Sequence, residues 1–117
     1  MTQRPTLSSD NLHPGIKDKV SPYKSHIVTQ VIDAVENNKA VVIGMALNSS
    51  VKKARLLLED NGYDVTYLEF GGYASMWQER LAIKMWSGWP TFPQVFIDGT
   101  LIGGASDLAQ AIDNKSL

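Results

Sequence analysis

Ala40-Val41-Val42-Ile43-Gly44-Met45 is a short, unbroken apolar run rich in β-branched residues. A strand of that composition leaves neither face in water, so it demands a sheet covered on both sides. Helical patterns flank it. Ser21-Pro22 is a helix-start signal, after which Ile27, Val28, Val31, Ile32 and Val35 recur at helical spacing up to Asn37-Asn38. Beyond the run, Asn48-Ser49-Ser50 supplies N-cap candidates, and Val51, Ala54, Leu57 and Leu58 form an apolar face that stops at Asn61-Gly62.

Val65-Thr66-Tyr67-Leu68 reads as a second strand, parallel to the first because a helix intervenes, which completes a right-handed βαβ unit. Gly71-Gly72 then opens a further helix through Met76, Trp77, Leu81 and Met85, and Gly88, Pro90 and Pro93 exclude regular helix after it. Gln94-Val95-Phe96-Ile97, Asp98-Gly99 and Thr100-Leu101-Ile102 form a β-hairpin signal, since Asp-Gly satisfies the positive φ angles of a two-residue turn. Gly103-Gly104 ends that strand, and Ala105, Leu108, Ala109 and Ile112 make the inner face of a closing helix. The expected architecture is α/β, a four-stranded mixed sheet flanked by helices. Residues 1–20, with Pro5, Pro14, Gly15 and few apolar side chains, read as a flexible arm ahead of one domain over 21–117.

With 117 residues, 44% of them hydrophobic, the chain builds one modest core and has no room for a second domain. Eleven basic residues against twelve acidic ones leave a formal charge of -1, so no global field recruits nucleic acid or an anionic membrane. No segment approaches the roughly 18 unbroken apolar residues of a membrane span, and the amino terminus lacks a secretory signal. A cytoplasmic protein is expected. The chain has no cysteine, which removes disulfides, thiolate nucleophiles and cysteine-held zinc or iron–sulfur centres together.

Trp89-Pro90-Thr91-Phe92-Pro93-Gln94, followed by Phe96, Gly99 and Gly103-Gly104, resembles the Trp-Pro-Thr-x-Pro-Gln signature of the monothiol glutaredoxins. The resemblance runs from about Val41 to Ile112 and implies the thioredoxin-like glutaredoxin fold. Lys52-Lys53-Ala54 resembles the start of the family's active-site helix, which sets Asn48-Ser49-Ser50-Val51 in the place of Cys-Pro-x-Cys. Asn48 therefore stands where the nucleophile is expected. A carboxamide has no attacking atom for disulfide exchange, and a serine hydroxyl without an adjacent base is a weak nucleophile; capping the helix is the plainer role for Asn48 or Ser49. The same loss removes the protein ligand of a glutathione-bridged iron–sulfur cluster, so no cluster is expected.

The resemblance also implies a glutathione site. It makes Pro93 cis, turning the backbone of Phe92 outward to pair with the tripeptide; taken alone, Pro93 reads as a strand-initiating proline. Gly104 permits close approach, and the amides of Ala105 and Ser106 hold the γ-glutamyl carboxylate, although Gly-Gly-Ala-Ser also makes an ordinary strand-to-helix turn. Arg80 matches a residue that reaches the glycine carboxylate, with Lys84 near it, while a lone arginine on a helix otherwise reads as a solvated charge. The family's lysine ahead of the active site has no match, since Met45 and Ala46 occupy a shortened loop.

His13 and His26 lack metal-site spacing, and no metal is expected. Lys52, Lys53 and Arg55 read as a solvated helix face. Trp77, Trp86 and Trp89 read as core rings, with Trp89 the first choice for a groove. The reading that unites these features is a redox-inactive module binding glutathione or a peptide. An enzyme using the thiol of bound glutathione and a purely structural interaction domain are the alternatives.

Overall fold

The computed structural model describes residues 25–117, so the amino-terminal arm and the helix start at Ser21-Pro22 lie outside the described residues. The elements are α1 (Ser25–Asn37), β1 (Ala40–Gly44), α2 (Ser49–Asp60), β2 (Val65–Glu69), α3 (Trp77–Ser87), β3 (Gln94–Ile97), β4 (Thr100–Gly103) and α4 (Ala105–Asp113). They form one four-stranded mixed sheet in the order β2-β1-β3-β4. β2 runs parallel to β1, with Ala40 opposite Val65 and Gly44 opposite Glu69. β3 runs antiparallel to β1, and β4 antiparallel to β3. The turn between β3 and β4 uses φ +51° at Asp98 and +80° at Gly99, the left-handed pair that a two-residue hairpin requires.

Every residue of β1 is buried, as its composition demands. Alternation along the strand divides the core between its faces. Ala40 and Val42 join Val51, Ala54 and Leu58 of α2 and Leu108 of α4 on one side. Val41 and Ile43 join Ile27, Val31 and Val35 of α1 and Ile83 of α3 on the other.

The helix expected to open at Gly71-Gly72 begins instead at Trp77. Gly71 at φ +69° and Met76 at φ +55° are left-handed, which breaks helical continuity, and Ser75 Oγ accepts from the Gly72 amide within the turn between them. The face that α3 buries also departs from the expected one. Arg80, Ala82 and Ile83 point inward, whereas Trp77 is 61% exposed and Leu81 and Met85 lie outside with it. Trp77 is therefore no core ring. Trp86 packs inward at 5.7 Å, centroid to centroid, from Phe96.

Candidate functional site

β1 and β3 bring two loops to the same end of the sheet, because Ile43 near the end of β1 lies opposite Gln94 at the start of β3. Asn48 is the N-cap of α2, with extended backbone at φ -106°, ψ 117°, and its Oδ1 accepts from the Val51 amide at 3.0 Å. That bond satisfies one of the helix's unpaired first-turn donors. Leu47 before it takes φ +57° and is 94% exposed, so an apolar side chain stands at the tip of the loop. Ser49 and Ser50 are exposed in the first turn, and Val51 is buried.

The second loop carries Thr91, Phe92 and Pro93. The Phe92–Pro93 peptide bond is cis. Gln94 is fully buried, and its Nε2 donates to the Trp89 carbonyl at 3.1 Å, which ties the Trp-Pro segment to the head of β3. Among the described residues neither the amide nor the carbonyl of Phe92 is hydrogen-bonded. The structure sets Gly104 against this loop: a Cβ added there would stand 3.7 Å from the Pro93 carbonyl oxygen. Ala105 and Ser106 follow as the first residues of α4, where backbone N–H groups have no intrahelical acceptor. The structure thus brings two segments together, Phe92-Pro93 and Gly104-Ala105-Ser106, meeting where Gly104 approaches the Pro93 carbonyl. Asp107 also reaches this meeting point, since its Oδ2 accepts from the Gly104 amide at 3.0 Å and adds a negative charge there.

Arg80 is buried, with 7% exposure, and is neither a solvated charge nor free to extend outward. Its Nη1 donates to the carbonyls of Phe70, at 2.8 Å, and Ser75, fastening the left-handed turn to α3. The basic group next to Phe92 is Lys84, whose Nζ lies 5.7 Å from the ring centroid.

Sequence reasoning set Lys52 and Arg55 aside as a solvated helix face; the structure places them in a cluster beside Asn48 whose β2 half was not foreseen. Lys52 and Arg55 of α2 and Tyr67 and Glu69 of β2 line a cavity of about 410 Å³ there. Arg55 lies over the Tyr67 ring at 4.1 Å, and the Tyr67 hydroxyl donates to Glu69 Oε1 at 2.9 Å. Burial, and then this hydrogen bond, push the Tyr67 hydroxyl up from 10.0 to about 12. The local signals were the basic run Lys52, Lys53 and Arg55 on α2 and the alternation of Tyr67 with Glu69 on one face of β2, neither of which says that the two elements face each other.

The glutaredoxin family model matches residues 52–102. A glutaredoxin-like protein of Dictyostelium discoideum is 44% identical over 102 residues, covering 87% of this chain and 83% of that protein. A mutated buckwheat glutaredoxin superposes with a TM-score of 0.74 at 20% identity, over 84% of this chain and 89% of that one. The buckwheat glutaredoxin–glutathione complex superposes at 0.72 and the same identity, over 84% and 89% of the two chains. With this sheet order and a relative that similar over most of its length, the chain belongs to the glutaredoxin family, as a member without cysteine.

Proposed function

We propose that this chain is a redox-inactive glutaredoxin-fold module that binds glutathione, or an extended peptide in the same manner. The carrying observation is the unpaired main chain of Phe92, with Gly104 and the first turn of α4 set against the adjoining Pro93; Asn48, which the resemblance aligns with the family's nucleophile, caps α2. Exchange needs a thiolate to attack a disulfide sulfur. The Asn48 carboxamide, its oxygen engaged by the Val51 amide, offers none.

Binding asks for different chemistry, and the donor set suits glutathione. The extended tripeptide pairs its backbone with Phe92 as an added strand would. Its γ-glutamyl carboxylate meets the Ala105 and Ser106 amides, where the α4 dipole favours negative charge. Lys84 supplies positive charge beside Phe92, the part expected of Arg80. Bound glutathione contributes a thiol; the chain's own residues hold and orient the tripeptide. An iron–sulfur cluster does not suit this donor set, because its ligand from the protein is a thiolate. The role we assign is a cytoplasmic, regulatory one acting on glutathione or on a protein partner; among the described residues no helix is long and apolar enough to cross a membrane.

Reduced glutathione titrated into the isotopically labelled protein is expected to give saturable amide shifts at Phe92, Gly104, Ala105 and Ser106. Lys84→Glu weakens that binding. Unmoved amides at millimolar glutathione overturn the reading and turn attention to protein partners.

A further inference from the structure

The cavity of about 410 Å³ beside Asn48 lies between α2 and β2, the outer strand on that side of the sheet. Lys52 and Arg55, three positions apart, share one face of α2, and Tyr67 and Glu69, two apart, share one face of β2. Tyr67 packs against the core beneath α2. Its ring in turn carries the Arg55 guanidinium, 4.1 Å from the centroid. Stacking of that kind holds a long side chain in place before any ligand arrives, so less freedom is lost on binding.

Arg55 has no hydrogen-bond or ion-pair partner among the described residues. Its Nε is buried and unpaired, whereas the two Nη groups are unpaired but not sealed from solvent. The end of the guanidinium fork, and not its side, is therefore what a ligand can reach. That end presents two parallel N–H groups, the geometry that holds both oxygens of a carboxylate at once. Glu69, the one acidic residue lining the cavity, is engaged by the Tyr67 hydroxyl. Lys52, exposed one turn earlier on α2, adds a second positive charge. Lys52 and Arg55 against Glu69 leave a single positive charge in excess, which complements a monoanion better than a dianion. Met45 and Leu47 give the cavity an apolar border, Leu47 being almost wholly in water. The volume falls within the roughly 300–1000 Å³ of small-ligand sites.

We propose that this cavity binds a small amphiphilic monocarboxylate. Its two carboxylate oxygens accept from the Nη groups of Arg55, with Lys52 beside them, and its apolar body lies along Met45 and Leu47. The site includes none of Phe92, Pro93, Gly104, Ala105 or Ser106, so this reading and the glutathione reading stand or fall separately.

The probe is hexanoate, with hexanamide as the neutral comparator of the same shape and inorganic phosphate as the rival oxyanion, all at one ionic strength. Titration of the full labelled chain, followed by NMR, is expected to shift the Arg55 Nε–H and the amides of Lys52 and Tyr67 saturably, with hexanoate binding at least about tenfold more tightly than hexanamide. Arg55→Gln reduces hexanoate to the affinity of hexanamide. Arg55→Lys keeps the charge, loses the fork and recovers only part of the difference. Leu47→Ser weakens both probes alike and leaves their ratio unchanged. Should Arg55→Gln not fold, the two probes in the unaltered protein decide alone. Equal affinities for hexanoate and hexanamide, tighter binding of phosphate than of hexanoate, a folded Arg55→Gln that binds hexanoate as before, or shifts centred on Ala105 and Ser106 overturn the proposal.

Discussion

Removing the Asn48 carboxamide uncovers the Val51 amide at the start of α2. Asn48→Ala is expected to lower stability by about 1 kcal/mol, read from urea unfolding. Asn48→Cys puts a thiol at a helix N-terminus, where thiolate is favoured. It is expected to introduce glutathione-dependent reduction of a small disulfide; inactivity in a folded variant that binds glutathione would show that the shortened Met45–Leu47 approach has moved the position out of line. Tyr67 supplies a pH dependence. Its neutral form is preferred in the fold, so its contribution is complete below about pH 10, the ordinary tyrosine value, and is lost as pH rises through about 12. Tyr67→Phe is expected to remove that part of the alkaline loss in unfolding midpoints measured across this window.

The elements show how one buried charge organises a loop. Arg80 holds the Phe70 and Ser75 carbonyls from within α3. Arg80→Met is expected to cost about 2–4 kcal/mol in urea unfolding, because it leaves both carbonyls without this donor. On the opposite face, Trp77→Gln is expected to change stability by no more than about 0.5 kcal/mol, since that ring lies mostly in water. A helical pattern at Trp77, Leu81 and Met85 was plain in the sequence. Its outward direction was not, because periodicity groups residues on a face without saying which face meets the sheet.

At the scale of the molecule, Leu58 is fully buried in the core that joins α2 and α4 to the sheet. Leu58→Ala is expected to cost about 3 kcal/mol and to unfold the domain in one transition. Several features were already legible in the chain: the buried strand β1, the Asp98-Gly99 hairpin, the Asn48 cap and the glutaredoxin signature. Each depends on residues within a few positions of one another, where hydrophobic run, turn chemistry and capping act locally. The fate of Arg80, the approach of Gly104 to Pro93 and the pairing of Arg55 with Tyr67 depend on segments distant in sequence. Those were decided when β1 drew β2 and β3 to its two sides and carried their loops together, since a side chain's partners follow from packing that no local pattern encodes.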